Sequence, residues 1–384
     1  MKQSLKFILG FLFISVFHNN CNQSGTDSSY GNRYLLTASS PRIGINHIWT
    51  NLGDHLGKEN QEMGLASVDV AEFSNQLKYI VSRSSLGYDL IVWEVSSGKK
   101  IWEYQCKDEI ETGCFSPEDK YVLAGGKFNT IYIWQVNDWT LHKQLDFDAS
   151  VEYMTFSNNN EYLAIGLGNG KIKLFHAGNF EYLKTSTHTP KEVMDTLTSS
   201  KNRADVNSLD FSLDDQYLVS GGMDGKIKVW RVEDMSLVKT LAGHDASIKS
   251  VRIHPRNKCI ASASVAQEEV NRMDNSIKIW DFETGDLIHT LTFPLGMEAV
   301  DFSPDGNYLA GGGREGFHNN DSDEEQGHFY FYNIPEDPIN QPIMQVHKEP
   351  VFRSEYLHFS NDGSMLVSSH EDGTVRLWNV EYFK

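Results

Sequence analysis

Residues 301–313 read DFSPDGNYLAGGG, and this stretch contains the signals that decide the fold. A phenylalanine and a serine lead into a Pro-Asp-Gly turn, and a short apolar run then ends in three glycines. Two short runs of this kind around a tight turn are typical of antiparallel β-strands. Variants of the same stretch recur along the chain at 71–82, 114–126, 155–166, 210–222, 252–264 and 358–370.

Each copy is followed by an alternating strand that ends in an aromatic residue. These residues are spaced 41 to 55 positions apart, and a repeat of about this length is typical of propellers and other repeat arrays. A four-stranded sheet of this size cannot bury both apolar faces alone, whereas sheets packed radially as blades can. The sequence therefore predicts an all-β, seven-bladed β-propeller of four-stranded antiparallel blades. The seven aromatics are Trp93, Trp134, Phe175, Trp230, Trp280, Tyr332 and Trp378.

Short motifs within the repeats resemble those of the WD-repeat β-propeller family. The resemblance covers about residues 45–384 and rests on Gly243-His244, Asp224-Gly225, Asp372-Gly373, Trp280-Asp281 and Ser303-Pro304-Asp305-Gly306. Only one copy has a true Trp-Asp pair and only one a true Gly-His pair, so the seven-fold period carries more weight than any dipeptide. The resemblance implies a non-catalytic scaffold that binds a protein or peptide on one face.

The same resemblance implies buried polar networks within the blades, each built from a histidine, a strand serine, a turn aspartate and the blade tryptophan. Because the candidate sets recur at the repeat spacing, we expect them to fix blade geometry rather than to catalyse a reaction. The three sets are His188, Ser220, Asp224 and Trp230; His244, Ser262, Asp274 and Trp280; and His347, Ser368, Asp372 and Trp378.

The last blade lacks a fourth strand of its own, because the chain ends six residues after Trp378. Residues 48–55 resemble residues 238–244, where a fourth strand runs into its loop. We therefore expect residues 45–53 to supply the outer strand of the last blade and to close the ring. The predicted organisation is a signal at 1–21, a polar lead-in at 22–44 and the propeller at 45–384.

The first 21 residues have the pattern of an export signal. Lys2 and Lys6 are followed by an apolar run at 7–17, which is too short to span a bilayer as a helix. Cys21 and the small polar residues after it resemble a bacterial lipoprotein signal, although residues 18–20 depart from the usual box. The pattern predicts an exported protein of the bacterial cell envelope, lipid-anchored through Cys21 on the periplasmic or cell-surface side. Plain secretion and an uncleaved anchor are the alternatives.

Four connections are longer than their counterparts in the other repeats, at about 55–64, 188–205, 265–272 and 315–326. Second-to-third and fourth-to-first connections leave the blades of a propeller on the same face, so we expect these four to converge. Two of them are acidic, which favours a basic protein or peptide partner, with a bound cation or a merely solvated loop as alternatives. The candidate binding residues are Glu268, Glu269, Asp321, Asp323, Glu324 and Glu325.

Composition and motifs argue against several other functions. The formal net charge of −18 disfavours binding to nucleic acid, and no nucleophile elbow, P-loop or HExxH pattern occurs. We expect a monomer with no catalytic residue, cofactor or metal, and buried thiols at Cys106, Cys114 and Cys259. The alternative is a quinoprotein-like or lactonase-like enzyme with a site in the channel, which the mixed lining residues disfavour: Glu72, Cys114, Thr155, Asp210, Arg252, Asp301 and His358.

Overall fold

Seven four-stranded antiparallel sheets make up the fold, which confirms the predicted all-β, seven-bladed propeller. The computed structural model describes residues 42–51, 68–84, 88–190, 204–266, 274–294, 296–313, 326–352, 354–371 and 373–383. Within these ranges every regular element is a β-strand, and 28 strands are present.

The strands follow the chain blade by blade, and β1 (Arg42–Asn51) precedes all of them. Blades one to three comprise β2 (Val68–Phe73), β3 (Tyr79–Ser84), β4 (Asp89–Glu94) and β5 (Lys100–Gln105); β6 (Ile110–Phe115), β7 (Tyr121–Gly126), β8 (Thr130–Gln135) and β9 (Leu141–Asp146); and β10 (Val151–Phe156), β11 (Tyr162–Leu167), β12 (Lys171–His176) and β13 (Tyr182–Thr187). Blades four and five comprise β14 (Val206–Phe211), β15 (Tyr217–Gly222), β16 (Lys226–Arg231) and β17 (Ser236–Ala242); and β18 (Ser247–Ile253), β19 (Cys259–Val265), β20 (Ser276–Asp281) and β21 (Leu287–Thr292). Blades six and seven comprise β22 (Met297–Phe302), β23 (Tyr308–Gly313), β24 (Gln326–Asn333) and β25 (Met344–Phe352); and β26 (Ser354–Phe359), β27 (Met365–His370) and β28 (Val375–Phe383) together with β1.

The first strand of each blade lies on the inside of the ring. Each of these inner strands contacts the inner strand of the next blade, and β26 of blade seven contacts β2 of blade one. The outer strands face the solvent, since exposed and half-buried residues alternate in β5, β9 and β13. The chain thus surrounds a central channel, with the first strand of each blade inside and the fourth at the rim.

The core consists of seven apolar clusters, one at each junction between neighbouring blades. Alternate residues of one strand serve two junctions: Trp93 and Ile91 pack towards blade seven, whereas Val92 and Leu90 pack towards blade two. Both faces of a strand are buried in this way, which explains why the third strands read as apolar runs ending in an aromatic.

The repeated Phe-Ser pair has a structural cause in the turn between the first and second strands. The serine hydroxyl accepts a hydrogen bond from the backbone N–H five residues later, at 2.9 to 3.1 Å, in Tyr79 to Ser74, Tyr121 to Ser116, Tyr162 to Ser157, Tyr217 to Ser212, Tyr308 to Ser303 and Met365 to Ser360. All seven turns place the residue four positions after the phenylalanine (isoleucine in blade five) at a φ of 52° to 72°: Leu77, Asp119, Asn160, Asp215, Asn257, Gly306 and Gly363. Glycine, asparagine and aspartate adopt this conformation most readily, so the turn chemistry of the sequence follows from the backbone.

The N-terminal strand closes the ring, as predicted. β1 pairs antiparallel with β28, from Arg42 opposite Phe383 to Asn51 opposite Val375. The observed strand covers 42–51 rather than 45–53. Blade seven therefore combines one strand from the start of the propeller with three from its end.

The four long connections lie largely outside the described residues. They join β1 to β2, β13 to β14, β19 to β20 and β23 to β24, which are all fourth-to-first or second-to-third connections. In an antiparallel blade both kinds leave from the same edge, which we call the loop face. Convergence of the long segments themselves stays a prediction.

Candidate functional site

In blade four the predicted polar residues are in contact. His188, directly after β13, lies with Nδ1 2.7 Å from the Ser220 hydroxyl and Nε2 3.2 Å from Asp224 Oδ1. Trp230 donates its indole N–H to the same hydroxyl at 2.8 Å. The histidine and the serine are fully buried, and the network ties the loop-face connection to the second and third strands of blade four.

Blade five has the same arrangement with the two imidazole nitrogens exchanged. His244 Nδ1 lies 2.7 Å from Asp274 Oδ2, and Nε2 lies 2.7 Å from the Ser262 hydroxyl, to which Trp280 donates at 2.9 Å. Burial alone would raise the pKa of Asp274, but hydrogen bonds from His244 and Ser276 outweigh it and lower the pKa to about 2. Burial lowers the pKa of His244. At neutral pH the contacts therefore join a neutral imidazole to an ionised carboxylate.

In blade seven the structure corrects the third set. Trp378 donates to the Ser368 hydroxyl at 2.8 Å, but His370 Nε2 contacts that hydroxyl at 2.8 Å in place of His347. His347 lies in the middle of β25, opposite Phe331, because this outer strand continues to Phe352. It occupies the strand position that Lys239 has in blade four, well before the loop where His244 lies. Asp372 lies outside the described residues.

Sequence reasoning missed a tryptophan–serine pair in blade one. Trp93 donates its indole N–H to the Ser82 hydroxyl at 2.6 Å. The signal was present in the sequence, since Ser82 stands two residues after Ile80, the strand partner of Trp93, as Ser220 stands two residues after Leu218. The other three blades have alanine, isoleucine or glycine at this position, at Ala124, Ile165 and Gly311.

A ring of bulged residues surrounds the channel at the loop face, and sequence reasoning missed it as well. Every inner strand has a register shift at its second or third residue, four positions before the phenylalanine or its isoleucine counterpart. A β-bulge re-aims the extra side chain and interrupts the ladder. Five of the seven bulged residues, which we call the bulge ring, are acidic: Asp69, Glu111, Glu152, Asn207, Lys249, Glu298 and Glu355.

Cations of the chain itself lie against two members of the bulge ring. Arg83 Nη1 lies 2.6 Å from Asp69 Oδ2, and Nη2 lies 3.8 Å from Glu111 Oε2. Lys127 Nζ lies 3.3 Å from Glu111 Oε1 and also pairs with Glu109. The Arg83 side chain is only 8% exposed, so the mouth of the channel holds a guanidinium almost out of solvent.

The remaining predictions concern metal ligands, thiols and the acidic loops. Among the residues that the structure describes, no group of three or more His, Cys, Asp or Glu side chains is placed to hold a metal ion. Cys106, Cys114 and Cys259 are free and buried as predicted, and burial raises the pKa of the Cys106 and Cys259 thiols to about 12. The acidic candidate binding residues at 268–269 and 321–325 lie outside the described ranges.

Comparison with known protein families finds the repeats directly. The family model described as WD domain, G-beta repeat matches residues 191–231, 235–281 and 341–379. The second match begins just before β17 and ends with β20, and the third runs from just before β25 into β28. A sequence repeat therefore joins the outer strand of one blade to the first three strands of the next, so consecutive blades interlock.

Curated relatives agree with this result. The chain is 25% identical over 316 residues to WD repeat-containing protein 18 of Homo sapiens, covering 77% of this chain and 65% of that protein. It is 25% identical over 185 residues to eukaryotic translation initiation factor 3 subunit I of Vanderwaltozyma polyspora, covering 46% of this chain and 49% of that protein. It is 26% identical over 233 residues to Protein hir-1 of Neurospora crassa, covering 51% and 22%. The chain thus spans less than two thirds of the length of these relatives.

The predicted localisation, an exported and lipid-anchored protein of the bacterial envelope, is wrong. The relatives are eukaryotic proteins, a translation initiation factor subunit among them, and this finding overturns the prediction of a protein of the bacterial envelope. Similarity over 77% of the chain outweighs the pattern of its first 21 residues. Residues 1–41, Cys21 included, lie outside the described ranges, within which no helix is long and apolar enough to cross a bilayer. The chain carries WD repeats, and they fold as the blades of a seven-bladed β-propeller.

Proposed function

We propose that this propeller is a non-catalytic scaffold that binds a protein or peptide on its loop face. The WD-repeat relatives support the scaffold role, since one of them is by name a subunit of a larger factor. The bulge ring supports the choice of the loop face, because it concentrates charged side chains at the mouth of the channel. Four long connections leave the blades at the same face. The opposite face presents the short turns that follow each phenylalanine.

A basic segment fits this face best. Five of the seven bulge-ring residues are acidic, and the ring already holds Arg83 and Lys127 of the chain itself. The predicted contact loops add Glu268, Glu269 and the acidic run at 321–325. Like charges gathered around one mouth attract a segment of opposite charge and speed its association, and they select against acidic partners.

Peptide binding to matched variants tests the proposal. A fluorescent Lys/Arg-rich peptide should bind the wild-type chain at low ionic strength and weaken as salt rises, whereas a Glu-rich peptide of equal length should not bind. The loop variant replaces the six acidic candidate residues by amides: Glu268, Glu269, Asp321, Asp323, Glu324 and Glu325. The control variant replaces six glutamates at turns of the opposite face: Glu94, Glu118, Glu161, Glu181, Glu233 and Glu283.

Comparison of the two variants distinguishes binding at the loop face from a general effect of net charge. We expect the loop variant to bind the basic peptide at least about tenfold more weakly than the control variant, with a smaller dependence on salt. Equal binding by the two variants would place the site elsewhere. Binding of the Glu-rich peptide as tightly as the basic one would remove the basic partner from the proposal.

A further inference from the structure

One layer of the channel wall brings ionisable groups from all seven blades together. The residue before the phenylalanine or isoleucine position of each inner strand belongs to it, and Arg252 is its only strong base. The groups that face one another here are Glu72 on β2, Cys114 on β6, Tyr153 on β10, Asp210 on β14, Arg252 on β18, Asp301 on β22, and Tyr356 and His358 on β26.

Arg252 reaches across the channel to blades on both sides. Its Nη2 donates to the Tyr153 hydroxyl of blade three at 2.8 Å and to the Tyr356 hydroxyl of blade seven at 3.3 Å. Its Nη1 donates to the Ser208 hydroxyl of blade four at 3.2 Å, and Nε lies 3.6 Å from Asp301 Oδ1 of blade six. One guanidinium in blade five thus links four other blades.

The network continues across the junction between blades seven and one. Tyr356 donates its hydroxyl to Glu72 Oε1 at 2.8 Å, joining residues 284 positions apart. Carboxylates also hold neighbouring backbones, since Asp301 accepts the N–H of Phe359 at 2.8 Å and Asp210 accepts the N–H of Ile253 at 2.7 Å. The junction between the first and last blades therefore has a polar connection on the channel side, in addition to the β1–β28 pairing at the rim.

The charges of this layer balance only after it takes up protons. Three carboxylates, of Glu72, Asp210 and Asp301, face one guanidinium and the imidazole of His358, which lies 3.0 Å from Asp301. Burying unbalanced charge is costly, and proton uptake relieves that cost. Burial raises the pKa of Glu72 and raises that of Asp210 to about 6. Burial alone would lower the pKa of His358, but the charge of Asp301 outweighs it and raises the pKa.

The raised pKa values of Glu72, Asp210 and His358 all make the folded state more stable as pH falls. A group whose pKa is raised by folding binds its proton more tightly in the folded state, so its contribution to stability grows as pH falls through the folded pKa. For Asp210 that window lies between about pH 7 and pH 4. His358 adds stability below its raised pKa and loses it as pH rises.

We infer that Glu72, Asp210, Arg252, Asp301, Tyr356 and His358 form a channel latch, which fastens blade one to blade seven from inside the ring and contributes more to stability as the layer takes up protons. The occupant of the channel at this level is the Arg252 side chain itself. The latch makes closure of the ring depend on pH on the channel side, in addition to the backbone pairing of β1 with β28 at the rim.

Urea unfolding of the full chain at pH 5 to 8 tests the proton dependence. Urea is chosen because guanidinium would compete with Arg252. Asp210→Asn needs no proton, so between pH 8 and pH 5 the unfolding equilibrium constant of the wild type should fall about tenfold relative to this variant. The exposed Asp146→Asn is the matched control and should run parallel to the wild type. Profiles of Asp210→Asn and wild type that stay parallel within about twofold would overturn the proton dependence.

Amide hydrogen exchange tests the position of the latch. Tyr356→Phe keeps the ring packing but removes the hydroxyl between Arg252 and Glu72, so exchange should accelerate in β2 and β26 and stay unchanged in β8 of blade two, which holds no latch residue. The exposed Tyr182→Phe is the control. If a variant fails to fold, the wild type alone is informative, since exchange in β2 and β26, corrected for the chemical rate, should slow relative to β8 as pH falls. Uniform exchange changes around the ring would overturn the latch.

Discussion

Removal of the Ser262 hydroxyl is the sharpest test of the blade networks. This oxygen accepts the indole N–H of Trp280 at 2.9 Å and contacts His244 Nε2 at 2.7 Å, and all three side chains are buried. Ser262→Ala leaves two buried polar groups without this partner. Each such loss costs about 1 to 3 kcal/mol, so we expect the free energy of unfolding to fall by roughly 2 to 6 kcal/mol.

The neighbouring Ser264 supplies the control within the same strand. Its hydroxyl is equally buried but makes one hydrogen bond, donating to the Ser247 carbonyl at 3.0 Å. Ser264→Ala should therefore cost only about 0.5 to 1.5 kcal/mol, because the carbonyl can be satisfied in other ways. Urea unfolding followed by tryptophan fluorescence measures both variants under the same conditions. If Ser262→Ala cost no more than Ser264→Ala, the network would contribute nothing to stability beyond ordinary buried hydroxyls.

Three further predictions concern stability at acid pH, the pairing of β1 with β28, and the turns. The pKa of Asp274 is about 2 when folded, so its contribution to stability is present above about pH 4 and lost as pH falls towards 2. Asp274→Asn should therefore unfold more easily at pH 7 than the wild type, and its stability should fall less steeply with acid than that of Asp146→Asn. Equal acid dependence of the two variants would argue against the shift. Deletion of residues 1–51 removes the nine residue pairs between β1 and β28 and should lower the free energy of unfolding by several kcal/mol relative to deletion of residues 1–41, as measured by thermal unfolding; equal midpoints would show that the pairing is dispensable. Leu77 adopts a φ of 54° where two other blades have glycine, so Leu77→Gly should raise stability by about 0.5 to 1 kcal/mol in the same assay, and a loss of stability would mean that the leucine side chain contributes more than its backbone strain costs.

The sequence predicted the features that repeat within one blade. The Phe-Ser turn, the apolar third strand and its terminal aromatic depend on contacts between residues a few positions apart, so each copy shows them independently. The missing fourth strand of blade seven followed from the same counting, and β1 supplies it. The network sets of blades four and five also follow the repeat, whereas His347 did not, because the length of β25 moved it into the middle of a strand.

The features that only the tertiary structure decided arise when the ring closes and residues of different blades meet. The bulge ring assembles one residue from each inner strand, and no single repeat shows that five of them are acidic around one mouth. Arg252 meets Tyr153 99 positions away, and Tyr356 meets Glu72 284 positions away. The lining residues look chemically mixed in the sequence, yet in the folded channel Arg252 contacts the phenols of Tyr153 and Tyr356 and lies beside Asp301. Such pairings are set by the geometry of seven packed blades, and a local pattern cannot encode them.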